Sequence, residues 1–555
     1  MAKVIQLADP PILPRAWLCL LSHISEQTRL STISPTSQHP LWCKKGPCSQ
    51  RTPNPPTPNE PPNLTMRVSI ATCLLLGSTV VLAKTIRTKV AILGAGLSGI
   101  SAAKTLAHHH KITDIVIVDA QDAIGGRLHD VPFAGIRVEL GANWIQGLGK
   151  NPIWVMAQQA VLKSVFANYS DIAYYNVNGE ADFSKESDAF EEAYTAYLAL
   201  AGKHQAHKQL DISARTGFSM VGWFPDTPAK EVIEYWSFDW EEAEPAEISS
   251  HLWSSISYNA TTAFSPDNNF VVDQRGYKLI PEAAAALFLK KNDSRLHLNT
   301  IVEKVVYSDY GVQVFTNKGD VIVADYAVST FSVGVLQHED VKFYPPFPDW
   351  KRQAIFQFHM ATYTKIFLNF DHQFWGEPQY FLYADPTRRG YYPVWQNLNA
   401  PGYFPKNTRT NILLVTVTDA ESKRIELQSD EATQAEIMVV LRSMFGHDIP
   451  NPTSILVPRW IKNPLFRGSY SNWPAGETFE EHSNLRAPLG RLWFSGEANS
   501  ADYFGFAHGA WIEGAKAGEN VAQCLKSGDS CHSLNTPYYP ELFKCKERPV
   551  FKRET

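Results

Sequence analysis

The sequence predicts an α/β protein built on a Rossmann-like dinucleotide-binding unit, and three observations carry that expectation. The stretch KVAILGAGLSGISAAKTL, Lys89 to Leu106, sets Gly94, Gly96 and Gly99 between an apolar run and an apolar-periodic one. A second apolar run, DIVIVDA, ends at Asp119, 20 residues beyond Gly99. The composition, 44% hydrophobic and 19% charged over 555 residues, is that of an ordinary globular chain with room for more than one domain.

In chain order, KVAIL reads as a short buried parallel strand, GAGLSG as a turn, ISAAKTLAHHH as a helix and DIVIVDA as the next strand. Such a turn lets a pyrophosphate approach the backbone of Gly94, Gly96, Leu97, Ser98 and Gly99, where a helix N-terminus offers amides and a positive dipole end. Asp119 at the end of the second strand suits ribose hydroxyls and disfavours a 2′-phosphate, hence NADP. A purely structural glycine turn is the bland alternative, and the complete unit outweighs it. The choice between NAD and FAD rests on the following segment. AQDAIGGRLHD places Gly125, Gly126 and Arg127 where a second glycine turn and a guanidinium can contact a pyrophosphate. VELGANWIQG reads as a strand entering a loop of small residues, Gly141, Ala142 and Asn143, with an exposed-looking Trp144. A flavin ring held edge-on against backbone amides needs these pieces; a nicotinamide does not.

The N-terminal region differs from the rest. Residues 1–65 hold 12 of the 36 prolines, so they are expected to be disordered or a gene-model artefact, with translation starting at Met66. MRVSIATCLLLGSTVVLAKT then has a basic residue, a short apolar stretch and a Val81-Leu82-Ala83 ending, the pattern of a signal peptide over 66–83. An internal strand or helix is the other reading. Removing residues 1–83 leaves 44 basic and 53 acidic side chains, a net charge of about −9, mildly suited to cationic substrates. The whole chain, at −5, is no strongly basic nucleic-acid binder. N-glycosylation triplets at Asn168, Asn259 and Asn292, and one disulfide among Cys524, Cys531 and Cys545, would fit export. Nothing resembles a metal site, and the apolar stretch is short for a membrane anchor.

Two further segments bear on chemistry. In MATYTKIFLNF, residues Tyr363, Lys365 and Phe367 fall on one face of a strand, so Lys365 either snorkels at an edge or is deliberately buried. In SFDWEEAEPAE, five acids (Asp239, Glu241, Glu242, Glu244 and Glu247) occur within nine residues. Such a run is usually a solvated face, although a row of carboxylates also suits spaced ammonium groups.

From Lys89 to about Cys524 the chain resembles the FAD-dependent amine oxidases, most closely the secreted polyamine oxidases of plants and fungi. The motifs that carry the resemblance are GAGLSGISAAKTL, GGR, ELGANW, VVDQRGY, YTKIFL, VPRW and FSGEANSADYFGFAHGA, with LHLNTIVEKVVYSDYGVQVFTNKG as the strand pair flanking the adenine. The resemblance implies a Rossmann-like FAD-binding domain of the GR2 type interleaved with an α+β substrate-binding domain. The FAD segments would be 84–163, 265–344 and 469–533; the substrate segments 164–264 and 345–468; and 534–555 a C-terminal tail. It also implies that Lys365 holds a water against the flavin and that Glu241 faces the polyamine tunnel. Trp144, Tyr363, Tyr470 and Phe506 would surround the flavin ring and the substrate nitrogen. Val302 would touch the adenine, and Glu497 the ribityl–phosphate region.

The chain departs from that pattern twice. Gln146 stands where the plant members have glutamate, and Phe506 where they have tyrosine, so charge pairing and a hydroxyl are lost. No cysteine lies between Lys462 and Glu497, where monoamine oxidases attach their flavin, so FAD should be non-covalent. The expected activity is oxidation of a secondary amine of spermine or spermidine, with dioxygen as acceptor and hydrogen peroxide as product. Oxidation of another amine or an L-amino acid, or an impaired FAD-stabilised binding protein, are the alternatives.

Overall fold

The computed structural model describes residues 84–404 and 410–527. The proline-rich segment, the expected leader, Cys531, Cys545 and the C-terminal tail lie outside the described residues.

Thr85–Leu93 is the axis of an eight-stranded sheet. It runs parallel to Ile115–Val118 on one side and to Val321–Ser329 on the other, with Leu93 opposite both Val118 and Ser329. The sheet order is Leu296–His297, Ile115–Val118, Thr85–Leu93, Val321–Ser329, Val312–Thr316, Val302–Tyr307 and Lys342–Tyr344; Leu492–Phe494 also pairs with Val321–Ser329. Val90–Leu93 is a continuous apolar run because both faces are covered. Ala91 and Leu93 pack with Val314 and Phe494, whereas Val90 and Ile92 pack with Ile100, Leu106 and Val521. The strand starts earlier than KVAIL suggests, because its partner Val321–Ser329 extends beyond the covered part of the sheet. The following helix, Leu97–Lys104, continues through a widened turn over Thr105–His109, in which His110 N donates to Thr105 O at 3.0 Å. The anticipated strand pair after Leu296 is an antiparallel hairpin, Val302–Tyr307 with Val312–Thr316.

A second, seven-stranded sheet has the order Ser454–Leu456, Tyr363–Asn369, Ile412–Thr418, Val394–Asn397, Tyr380–Ala384, Ile172–Asn176 and Gly179–Ala181. It is antiparallel except between Tyr380–Ala384 and Ile172–Asn176. Phe367 packs with Phe270 and Leu414, while Ile366 and Leu368 join Leu413 and Val415 on the opposite face. Tyr363, Lys365 and Phe367 therefore share a face, as their spacing predicts. Beside this sheet, the helices Ser184–Ala206, Ala214–Met220, Pro228–Glu234 and His251–Thr262 frame an aromatic cluster that includes Tyr197, Phe218, Trp223, Phe238 and Trp240. The acid run leaves this cluster where Ala243, at φ +58°, ends a helical turn. The architecture is thus α/β: a largely parallel nucleotide-type sheet and a mostly antiparallel second sheet.

Candidate active site

The site begins at the C-terminal end of Thr85–Leu93. Gly94, at φ +116°, turns the chain into the helix that starts at Leu97. The first amides of that helix have no acceptor within it. Gly99 works indirectly: a Cβ there would lie 1.9 Å from Gly94 O, so its bareness lets helix and strand meet, and it does not line the cavity. Asp119 is buried, its two oxygens accepting Ala95 N at 2.6 Å and Gln121 N at 2.8 Å. Burial raises its pKa, and these two amides oppose the rise. Ser98 Oγ meets Ser495 Oγ at 2.7 Å, tying the first turn to the loop after Leu492–Phe494. Gly125 bridges to Gly96, so the second glycine turn stands beside the first.

Arg127 leaves that second turn and is held by Ser469 O at 3.0 Å and Glu497 Oε1 at 2.8 Å. Glu497, 5% exposed, also accepts Gly505 N at 2.8 Å and Ser471 Oγ at 2.5 Å. Its carboxylate is thus occupied by protein groups and acts as a bracket for Arg127. Only one guanidinium nitrogen of Arg127 is engaged, which leaves the others for an anion in the cavity that the residue lines.

Lys365 is 1% exposed and stands behind the loop of small residues instead of lining the cavity. Its Nζ donates to Gly141 O at 2.7 Å and Asn143 Oδ1 at 3.2 Å and lies 5.9 Å from the Trp144 ring. Asn143 is braced in turn by donating to Val271 O at 3.0 Å. Burial drives the Lys365 pKa down and that of nearby Glu139 up, so the low-dielectric surroundings favour the uncharged form of each. This is the deliberately buried lysine, and no edge-snorkelling arrangement is present. Trp144 is half-buried, edge-on to Trp240 and Phe270 with both centroids at 5.1 Å, because a helical turn and a paired strand from distant parts of the chain close over a residue that looks exposed in sequence.

The acid run is no solvated face. Asp239 pairs with Arg389 at 2.8 Å, Glu247 with Arg215 at 2.8 Å, and Glu244 with His359 at 2.8 Å and Asn472 at 2.9 Å. Among the described residues, Glu241 and Glu242 pair with no cation. Glu241 accepts Gln146 Nε2 at 2.6 Å; burial pushes its carboxyl up to about 7, and the Gln146 bond opposes that rise. Burial, with repulsion from Glu241 and Glu244, pushes Glu242 up to about 8. Tyr363 and Tyr470 stand 5.9 Å apart, and Tyr470 OH donates to Glu241 O at 2.9 Å. Both phenols are raised well above their ordinary pKa by burial and stay neutral.

One cavity of about 560 Å³ joins these parts. It is lined by Gly94, Gly96, Leu97, Ser98, Asp119, Gly126, Arg127, Gly141, Ala142, Asn143, Val302 and Glu497, and also by Trp144, Gln146, Glu241, Tyr363, Tyr470 and Phe506. Of the residues given a cofactor, substrate or catalytic role from the sequence, Gly99 and Lys365 lie outside its wall. Phe506 stacks on His508 at 4.9 Å. Residues the sequence left unassigned also line the cavity: Tyr169, Trp240, Glu242 and Ser257. Trp240 and Glu242 flank Glu241 in the run, a local signal. Tyr169 and Ser257 carry none, since distant packing brings them in. Bare backbone at Gly96 and Gly126, a half-free guanidinium and a buried acid at the second strand suit a dinucleotide, and the small-residue loop suits a flat ring beside it.

The family model for flavin-containing amine oxidoreductases matches residues 97–522. The chain belongs to that family. FAD is accordingly its cofactor, and the protein is an FAD-dependent amine oxidoreductase. Among relatives, "Polyamine oxidase 1" of Zea mays is 42% identical over 474 residues, covering 80% of this chain and 92% of the relative. "Polyamine oxidase 7" of Oryza sativa subsp. japonica is 41% identical, covering 82% of this chain and all of the relative. A solved putrescine oxidase bound to putrescine shares the fold with a TM-score of 0.65 at 18% identity, over 79% of this chain and 100% of that one.

Proposed function

We propose that this amine oxidase acts on polyamines, oxidising a carbon next to a secondary amine of spermine or spermidine. The observation that carries this reading is the pair of carboxylates without a cation, Glu241 and Glu242, in the wall of the same cavity as the glycine turns. A buried carboxyl gains most from ionising when an ammonium group enters beside it. Tyr363, Tyr470 and Trp144 supply flat apolar walls that place a methylene chain and attract its charged end. The names of the plant relatives point the same way.

Gly94–Ser98, Asp119, Arg127 and Val302 would hold the nucleotide half of FAD, and Gly141–Asn143 would face its ring. When bound, FAD supplies a two-electron acceptor that dioxygen regenerates with formation of hydrogen peroxide. No cysteine among the described residues lines the cavity, which supports non-covalent binding. Lys365, fixed behind Gly141 and Asn143, is the candidate catalytic residue. With its pKa lowered by burial, its amine would act on the reacting atoms through a water held against the flavin, and the neutral tyrosines leave the reacting nitrogen in an apolar slot. An L-amino-acid oxidase would need an arginine for the carboxylate. The only arginine lining the cavity among the described residues is Arg127, which stands beside the glycine turns where it would serve the FAD pyrophosphate.

The parallel-rich sheet would be the FAD-binding half (84–163, 265–344 and 469–533), and the second sheet the substrate half (164–264 and 345–468). Export, with Lys84 as the mature N-terminus, is supported by disulfide-bonded Cys524 and by exposed Asn259 and Asn292. No helix among the described residues is long and apolar enough to cross a membrane.

Anaerobic titration of the purified holoenzyme with spermidine and spermine, following flavin absorbance, tests the reading. Bleaching by either, with a product that identifies the bond cleaved, supports it. A flavin that no polyamine bleaches refutes it in favour of another amine or of a binding protein.

A further inference from the structure

Glu242 has no hydrogen-bond or ion-pair partner among the described residues, although it lines the cavity and its neighbours on either side are engaged. Glu241 has one oxygen on Gln146 Nε2 at 2.6 Å, and Glu244 is held by His359 and Asn472. Ser257, on the helix His251–Thr262, lines the same cavity and is 3% exposed, with a buried hydroxyl that meets no partner. Among the described residues, the Glu242 carboxyl, which accepts at both oxygens once it is ionised, and the Ser257 hydroxyl thus face the cavity as acceptors without a protein partner.

The buried Ser257 hydroxyl costs free energy while it has no partner, and the half-buried Glu242 carboxyl opens onto the same cavity, so both are best explained by a donor that arrives with the ligand. An ammonium group has three donors and a positive charge, and an anionic or purely apolar ligand cannot satisfy Glu242. Glu241 gains less from a cation than Glu242, because the Gln146 amide already meets part of its need. The neutral Gln146 strengthens this asymmetry: it donates to Glu241 and contributes no charge of its own to the cavity.

We propose that Glu242, assisted by the Ser257 hydroxyl, is the specificity-determining residue that receives a second ammonium group of the substrate, while Glu241 stays bonded to Gln146. The enzyme would then select dications over monocations through Glu242. The inference rests on the polyamine reading for the identity of the substrate, but its test does not depend on turnover. An α,ω-diamine without a secondary nitrogen, 1,8-diaminooctane, serves as the dication and octylamine as its monocation counterpart, both under anaerobic conditions with the flavin verified to stay oxidised.

Equilibrium dissociation constants for both are measured on the holoenzyme by perturbation of the flavin spectrum and by calorimetry. The wild-type protein should bind the diamine at least tenfold more tightly than the monoamine. Glu242→Gln should abolish that ratio by weakening the diamine at least tenfold and octylamine by less than twofold. Glu241→Gln should retain most of the ratio. A wild-type protein without dication preference overturns the proposal even if the variant fails to fold. So does a Glu242→Gln variant that keeps the ratio, or a Glu241→Gln variant that alone loses it. If the dication preference holds while neither spermine nor spermidine bleaches the flavin, the polyamine reading fails and the assignment of Glu242 stands.

Discussion

Replacing Lys365 with methionine separates the structural from the chemical work of this side chain. Methionine keeps most of the aliphatic volume and removes the donor. Two buried acceptors, Gly141 O at 2.7 Å and Asn143 Oδ1 at 3.2 Å, then lose their partner. At about 1–3 kcal/mol for each unsatisfied group, the gross cost is roughly 2–6 kcal/mol. The second bond is long, and removing the amine relieves its desolvation, so the net loss of stability should fall near the lower end, about 1–3 kcal/mol. Because Lys365 does not line the cavity, FAD should remain bound. A positioned proton-transfer group is worth about 10²–10⁴ in rate, so flavin reduction by spermine should slow by roughly that factor. The assay is anaerobic stopped-flow at the flavin band, with bound FAD quantified and the melting temperature recorded. Reduction within about threefold of wild type, at full FAD content, would refute the role given to Lys365.

Two other perturbations test neighbouring parts. Arg127→Ala leaves the buried Glu497 carboxylate without its cation, a loss of about 3–5 kcal/mol, and should release FAD on gel filtration; a variant that keeps stoichiometric FAD contradicts the cradle. The carboxyls of Glu241 and Glu242 are raised above their ordinary range, to about 7 and about 8. Their stabilising contribution is therefore full below about pH 4.5, falls progressively above it and is gone once pH has risen through 7 and 8, where both groups ionise within the wall. The melting temperature of the ligand-free holoenzyme should fall between pH 5 and 8 more steeply in wild type than in a Glu241→Gln/Glu242→Gln variant. Parallel curves would show that these carboxyls titrate normally.

The fold was legible where local pattern and tertiary demand coincide. Val90–Leu93 is apolar throughout because a parallel strand is covered on both faces, Gly94 is bare because the turn there needs φ +116°, and Gly99 because the helix meets the strand's backbone, so the unit can be read one residue at a time. Tyr363 and Lys365 share a face because a strand alternates every second residue, which requires no knowledge of partners. The acid run was not legible in this way. Asp239, Glu244 and Glu247 are indistinguishable from Glu241 and Glu242 in sequence, and what separates them is the position of Arg389, His359 and Arg215, brought in from other parts of the chain. Trp144 failed for the same reason, since its cover, Trp240 and Phe270, comes from distant segments.

The sequence by itself therefore determined the class of nucleotide unit, the strand that carries the lysine and the concentration of acid near residue 241, because short-range geometry and residue chemistry dictate them. Only the tertiary structure decided that Lys365 sits behind the cavity wall, that Glu497 is engaged by Arg127, and that Glu242 has no partner among the described residues. Burial and charge pairing depend on which remote side chains arrive within a few ångströms, and no local pattern encodes those arrivals.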